Sequence, residues 1–142
     1  MSASLRTPLA WDESETDAAG RRILVVDDDA PMLEVIGRLL TLNAFEVDVA
    51  RSVEDALPMA LSGGYDGLVL DLILPDGNGL HLYRKVARRL PGMSGRAVFV
   101  SGRLDRDEIR RFQRVVGNRV LVKPFDLNEL LRAVREASAP GV

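Results

Sequence analysis

The sequence predicts an α/β protein in which helices cover both faces of a parallel sheet. Short apolar runs alternate five times with segments of helical periodicity, and three of the runs are almost uninterrupted in apolar residues. Uninterrupted runs of this kind are typical of central parallel strands, because both faces of such strands are buried. Five successive βα units therefore predict a doubly wound (βα)5 parallel sheet.

The predicted strands are five short segments. They span residues 23–26, 45–49, 67–70, 97–100 and 120–122. The second segment, Phe45-Glu46-Val47-Asp48-Val49, alternates between apolar and charged residues. Alternation indicates an edge strand with one wetter face.

The predicted helices follow these strands and have recognisable starts. They span residues 32–42, a segment beginning at Ser52, and residues 79–89, 105–115 and 127–137. In the first helix a core-facing stripe is formed by Met32, Leu33, Ile36, Leu39 and Leu40. Asp29 is expected to be the N-cap of this helix. Ser52 and Asp126 each stand three residues before an acid, the spacing of a capping residue.

Composition limits the classes of function. The 142 residues are enough for one domain, the net charge is −2, and there is no cysteine. Disulfides and thiolate metal sites are therefore excluded, and nothing in the overall charge points to nucleic acid or membrane binding. We expect a cytoplasmic protein with an acidic flexible tail over residues 1–20, a folded domain over 21–138 and a short tail over 139–142.

Polar residues follow four of the five predicted strands. In an open parallel sheet these positions meet at one edge, where ligands bind. The first strand is followed by Asp27-Asp28-Asp29, the third by Asp71, the fourth by Ser101-Gly102 and the fifth by Lys123-Pro124. The second strand is followed by Ala50-Arg51, which we expect to contribute nothing to the site.

The chemistry of this edge follows from its charge. Several adjacent carboxylates stay ionised only if a cation joins them, and an all-oxygen donor set suits Mg²⁺ or Mn²⁺. Lys123 and Ser101 suit phosphoryl oxygens, and phosphoryl transfer requires mainly positioning and charge neutralisation. Asp71 follows the central strand and is the expected nucleophile. Each residue alone is ordinary in a loop or cap; only the joint pattern is specific.

The motifs resemble those of a known signalling family. "ILVVDDDAPMLEVIGRLL", "YDGLVLDLILPDGNGL", "VFVSG" and "LVKPF" occur in the order and at the separations found in that family. Residues 22–137 thus resemble a response-regulator receiver domain of two-component signalling, of the CheY-like type. The resemblance implies a flavodoxin-like fold with strand order 2-1-3-4-5.

The resemblance also implies roles for the residues at the sheet edge. Asp71 resembles the phosphoacceptor, and Mg²⁺ would be bound by Asp28 directly, by Asp27 mainly through a water, and by the backbone carbonyl of Ile73. Ser101 resembles the switch hydroxyl, and Lys123 the lysine that pairs with the phosphoryl group. The backbone N–H of Gly102 would face the phosphate, and the Lys123–Pro124 bond would be cis.

Partners and departures from the family pattern follow from the same resemblance. A histidine kinase or histidine phosphotransfer protein would be the donor, and the protein would catalyse only its own phosphorylation and dephosphorylation. An output protein would use a basic face around Arg106, Arg110, Arg111 and Arg114. Val120 stands where the family often has an aromatic residue, which predicts a muted switch. Ile73 and Arg103 flank the phosphorylation site, and Ile73 predicts slow self-dephosphorylation.

Two alternatives remain open from the sequence. One is a receiver-like interaction module that works without phosphorylation. The other is a haloacid dehalogenase-like phosphatase with Asp27 as nucleophile, although Pro31 replaces the expected Thr or Val of its first motif. A dinucleotide-binding domain is excluded because no Gly-x-Gly-x-x-Gly follows the first strand.

Overall fold

The computed structural model describes residues 19–140. The expected acidic tail as far as residue 18, including Trp11, lies outside the described residues, and so do residues 141 and 142. The strands are β1 (Arg22–Val26), β2 (Glu46–Ala50), β3 (Gly67–Asp71), β4 (Ala97–Ser101) and β5 (Val120–Val122). The α-helices are α1 (Ala30–Leu42), α2 (Val53–Leu61), α3 (Gly79–Arg89), α4 (Arg106–Val116) and α5 (Leu127–Ala137). A short 3₁₀ helix, Pro91–Met93, was not predicted.

The strands form one parallel sheet in the order β2-β1-β3-β4-β5. The fold class predicted from the sequence and the strand order implied by the resemblance are both confirmed. β2 lies at an edge, in agreement with its alternating pattern. In the pairing register, Val26 lies beside Leu70 and Asp71 lies beside Val100. The carboxyl ends of β1, β3 and β4 therefore finish at the same level.

The sheet divides the core into two layers. In β1, Leu24 and Val26 belong to one apolar cluster, and Ile23 and Val25 belong to the other. This is the period-two alternation of strand side chains. The first cluster includes residues of α2, α3 and α4, and the second includes residues of α1 and α5. The predicted stripe on α1 packs into the second cluster. None of the helices in the described part of the chain is long and apolar enough to span a membrane.

Helix caps mostly follow the sequence. The side chain of Asp29 accepts a hydrogen bond from Met32 N–H at 3.3 Å, which confirms the predicted N-cap. Helix α1 begins at Ala30, two residues before its predicted start, because Pro31 is tolerated in a first turn that needs no N–H there. Ser52 and Asp126 also cap their helices. A full capping box, not anticipated, joins Asp105 and Glu108.

The opposite end of the sheet, which we call the base, is formed by the amino ends of the strands. There the hydroxyl of Tyr65 donates a hydrogen bond to Asp48 Oδ2 at 2.6 Å. The guanidinium of Arg22 pairs with the same oxygen at 3.0 Å and lies 4.6 Å from the centre of the Tyr65 ring. Burial, together with the hydrogen bond to Asp48, raises the pKa of Tyr65 to about 12.

This pKa predicts a loss of stability in alkali. A pKa raised on folding stabilises the native state below the unfolded pKa of 10.0, and that contribution disappears as pH rises toward 12. The unfolding free energy of the wild type relative to Tyr65→Phe should therefore fall by about 2 kcal/mol across this range. Urea unfolding at several pH values measures the difference. A difference that stays constant with pH would contradict the prediction.

Candidate functional site

Three carboxylates meet at the carboxyl end of the sheet. Asp27 and Asp28 follow β1, and Asp71 is the last residue of β3. One oxygen from each lies within 4.8 Å of the others. Asp27 is fully buried and Asp71 is 5% exposed, whereas Asp28 is only half-buried. The adjacency of β1 and β3 thus places negative charge where water cannot screen it well.

Lys123 neutralises part of this charge. Its Nζ lies 2.7 Å from Asp27 Oδ2 and 3.3 Å from Asp71 Oδ2. Burial alone would lower the pKa of Lys123, but the hydrogen bond to Asp27 and the charge of Asp71 outweigh it and raise the pKa overall. The ammonium therefore stays charged and bridges the two buried carboxylates.

Backbone donors fix the other oxygens of the same carboxylates. Asp29 N–H donates to Asp27 Oδ1 at 3.0 Å, and Ile73 N–H donates to Asp71 Oδ1 at 3.1 Å. Burial raises the pKa of Asp71; the Ile73 N–H opposes the rise, the charge of Asp27 adds to it, and Lys123 opposes it. Both acids are consequently held in defined orientations before any ligand arrives.

Ser101 ends β4, next to β3. It is 1% exposed, and its Oγ has no hydrogen-bond partner among residues 19–140. Buried hydroxyls are normally paired, so an unpaired hydroxyl at this edge is a donor available to a ligand. Gly102 follows it, and a Cβ there would lie 3.2 Å from the Lys123 side chain. The Lys123–Pro124 bond is cis, as expected from the resemblance.

The turn after Asp71 is hydrogen-bonded to the start of α2, a contact that was not predicted from the sequence. Asp76 accepts the backbone N–H groups of Val53 at 2.8 Å and Glu54 at 2.9 Å. These hydrogen bonds lower the pKa of Asp76. At the end of the turn, a Cβ on Gly79 would clash with the carbonyl oxygen of Asp71. The turn thus brings α3 directly against the end of β3.

Two arginines reach Asp28 from outside the acid cluster. Arg51 Nη2 donates to the backbone carbonyl of Asp28 at 3.1 Å, and Arg103 Nη2 lies 3.7 Å from Asp28 Oδ2. The expectation that Ala50-Arg51 contributes nothing was therefore wrong, since a long side chain carries Arg51 back to the β1 loop. The sequence signal for this contact is the positive charge of Arg51. Its position after an edge strand does not indicate where its long side chain extends.

Three arginines of the predicted basic face lie together on α4. Arg110, Arg111 and Arg114 line a shallow depression of about 580 Å³ on α4 together with Asp107 and Gln113. Arg110 pairs with Asp107 at 3.8 Å. Arg119, which is beyond the helix, pairs with Glu136 of α5 at 3.3 Å.

The donor set fits a hard divalent cation. The cluster offers carboxylate oxygens from Asp27, Asp28 and Asp71, and no nitrogen or sulfur ligand belongs to it within the described residues. Oxygen-only sets suit Mg²⁺ and Mn²⁺. The acid cluster can therefore hold a metal ion, with Lys123 and Ser101 next to it.

Comparison with known proteins agrees with this geometry. A family model described as the response regulator receiver domain matches residues 23–135. Response regulator ArlR of Staphylococcus aureus (strain Mu50) is 32% identical over 119 residues, which are 80% of this chain and 51% of ArlR. The chain thus spans about half the length of the curated relatives that it matches.

Solved structures give the same result. A CheY-like response regulator receiver domain protein from Methanospirillum hungatei JF-1 has a TM-score of 0.74 and 25% identity, covering 84% of this chain and 94% of that chain. The signal receiver domain of an HD domain-containing protein from Pseudomonas fluorescens Pf-5 has a TM-score of 0.73 and 28% identity, covering 84% and 87%.

The acid cluster predicts that Asp71→Asn stabilises the protein at neutral pH. The raised pKa of Asp71 favours folding only below its ordinary value of 3.8, and this contribution is lost as pH rises through the folded pKa. Removing the charge should raise the unfolding free energy at neutral pH, because Lys123 keeps Asp27 as its partner at 2.7 Å. The gain should vanish in acid, as urea unfolding at two pH values would measure.

Asp76→Asn is the matched control, since it makes the same chemical change in the same loop with the opposite expected sign. The lowered pKa of Asp76 contributes stability above 3.8 that is lost as pH falls. Asp76→Asn should therefore destabilise the protein at neutral pH and have little effect in acid. If both variants change stability in the same direction, the electrostatic explanation is wrong.

Proposed function

This chain belongs to the response regulator receiver domain family, and we propose that its Asp71 accepts a phosphoryl group from the phosphohistidine of a histidine kinase or histidine phosphotransfer protein. The observation that carries the proposal is the acid cluster, in which oxygens of Asp27, Asp28 and Asp71 lie within 4.8 Å of one another beside the Lys123 ammonium. A cytoplasmic location, and no catalysis beyond its own phosphorylation and dephosphorylation, are parts of the same proposal.

The metal in this proposal is Mg²⁺ or Mn²⁺. Asp28, Asp71 and the backbone carbonyl of Ile73 would hold it directly, and Asp27 mainly through a water. When bound, the ion supplies positive charge that offsets the crowded carboxylates and the phosphoryl oxygens. The half-buried position of Asp28 leaves this side of the cluster accessible.

The residues of the chain itself orient and stabilise the reacting groups. The N–H of Ile73 holds one oxygen of Asp71, so that an oxygen of the carboxylate can form the bond to phosphorus. As that bond forms, the donor N–P bond breaks and its electron pair stays on the departing imidazole nitrogen. Lys123 then follows the negative charge to the phosphoryl oxygens, where the hydroxyl of Ser101 and the N–H of Gly102 donate hydrogen bonds.

The output follows from the same charge. A hydrogen bond from Ser101 to the phosphoryl group would draw the start of the β4–α4 loop inward and shift a two-state equilibrium. Val120, buried beside Phe99 in the β4–β5 register, has no ring to reorient, so we propose a muted change confined to the loop and α4. A coupling of about 1–3 kcal/mol would change partner affinity roughly 5- to 150-fold. The face around Arg106, Arg110, Arg111 and Arg114 is the proposed output surface.

The alternatives predict different products. The haloacid dehalogenase-like alternative is disfavoured because the family match is to receiver domains and because Asp27 is fully buried under Lys123. A module that works without phosphorylation remains distinguishable by experiment. Its partner affinity would be the same with and without a phosphoryl group.

Phosphopeptide mapping tests the acceptor. Incubation with acetyl phosphate and Mg²⁺ should modify one aspartate, in the peptide that contains Asp71, because Asp71 ends the middle strand of the sheet beside the other two acids and Lys123. Asp71→Asn should abolish the modification. Asp76→Asn is the control in the same loop and should keep it, since its carboxylate faces α2. Label on Asp27, or no label at all, would contradict the proposal.

The lifetime of the phosphoryl group tests the role of Ile73. An isoleucine side chain cannot orient a hydrolytic water, so Ile73→Asn should speed self-dephosphorylation roughly tenfold to hundredfold. Ile73→Ala, which also lacks a polar group, is the matched control and should change the rate much less. Loss of radiolabelled phosphate over time measures both rates. Faster loss in Ile73→Ala but not in Ile73→Asn would show that access, rather than orientation of water, limits the rate.

A further inference from the structure

The groove between α2 and α3 combines an apolar floor with a cationic rim. It measures about 290 Å³ and is lined by Leu57 and Leu61 of α2 and by Lys85, Arg88 and Arg89 of α3. Within residues 19–140, none of the three cations forms an ion pair. The three are exposed, so their charge is available to a partner.

The groove differs from two other depressions on the described surface. The depression on α4 contains Asp107 and no apolar side chain, so it offers no hydrophobic contact. The depression on α1 is apolar but includes both Glu34 and Arg38, so its charge is balanced. Only the α2–α3 groove, among these three, suits a ligand with an apolar anchor next to several negative charges.

A segment with this chemistry precedes the described residues. The stretch Trp11-Asp12-Glu13-Ser14-Glu15-Thr16-Asp17 has one large aromatic side chain followed by four acids and no base. Indole is the largest apolar side chain and is frequent at binding hot spots. The acids complement Lys85, Arg88 and Arg89 in sign.

The chain also enters the fold at the end of the sheet where the groove ends. Helices between parallel strands run back to the base, so Leu61 and Arg89, which end α2 and α3, lie at the end of the sheet where β1 begins. Arg22 at the start of β1 donates to the carbonyl of Gly64, three residues after Leu61, at 3.5 Å. The eight residues from Trp11 to Ala18 can extend about 27 Å, which is several times the spacing between adjacent strands.

We propose that residues 11–17 bind in the α2–α3 groove of the same chain, with the Trp11 indole on Leu57 and Leu61 and the acids against Lys85, Arg88 and Arg89. A short tether holds the segment at an effective concentration on the order of millimolar, so weak contacts suffice. The surface is separate from the acid cluster at the carboxyl end of the sheet, and the proposal does not depend on phosphorylation of Asp71.

The fluorescence of Trp11 reports on its own environment, because the sequence contains a single tryptophan. In the 142-residue chain at low salt, the emission of Trp11 should be blue-shifted and Trp11 should be protected from acrylamide, and high salt should reverse both effects. Reversing the groove charges with Lys85→Glu, Arg88→Glu and Arg89→Glu should roughly double quenching, as expected when a state populated about half the time is lost.

The matched control makes the same charge change on α4. Arg110→Glu, Arg111→Glu and Arg114→Glu should leave Trp11 protected. Combining the groove reversal with Asp12→Lys, Glu13→Lys and Glu15→Lys should restore protection, and circular dichroism verifies that each variant is folded. A tail-only variant, Asp12→Asn with Glu13→Gln and Glu15→Gln, changes no described residue and should expose Trp11.

Three outcomes would overturn the proposal. Trp11 could be quenched like free tryptophan in the wild type, or the α4 variant could expose it while the groove variant does not. Protection could also disappear on dilution, which would assign the groove to the tail of a second copy. A salt-sensitive, dilution-independent protection that follows the groove charges supports it.

Discussion

Two buried carboxylates at the ends of neighbouring strands, bridged by a single lysine, are the constraint on which the rest of the molecule depends. In both Asp27 and Asp71, one carboxylate oxygen accepts a hydrogen bond from a backbone N–H. The other oxygen lies close to the Lys123 ammonium. Removing two anions from water is unfavourable unless the compensating charge is close and well oriented. Lys123 must therefore reach both acids from the end of β5. The parallel order β1-β3-β4-β5 places it at the same edge of the sheet as the acids.

The acid cluster also lowers the stability of the native state. Burial raises the pKa of Asp71, which means that its ionised form is disfavoured in the native state. Ser101 adds a buried hydroxyl without a partner among the described residues. Unfavourable features of this kind concentrate at functional sites, where a ligand supplies the missing interactions. A bound metal ion would offset the charge of Asp71, and a phosphoryl group would give the Ser101 hydroxyl a partner. The same residues therefore account for the lost stability and for the proposed chemistry.

The scaffold around the cluster restricts the positions of the reacting groups. Asp76 joins the β3–α3 turn to the start of α2 through two backbone N–H groups, and Gly79 allows α3 to begin against Asp71. Behind them, Phe99 packs edge-to-face on Tyr83 and Phe112, at ring distances of 5.6 and 4.9 Å. These ring contacts join α3 and α4 to β4, whereas β5 offers Val120 and no ring.

The sequence alone determined the strands, the helices and the order in which polar residues reach the sheet edge, because periodicity and capping are local properties. It placed Asp27, Asp28, Asp71, Ser101 and Lys123 correctly at that edge, since parallel strands finish together. Only the tertiary structure decided which groups touch. The contacts of Asp76 with α2, of Arg51 with the Asp28 carbonyl and of Lys123 with both acids join residues at least 22 positions apart. No local pattern encodes such pairs, because they depend on how separate elements pack and on how far long side chains extend.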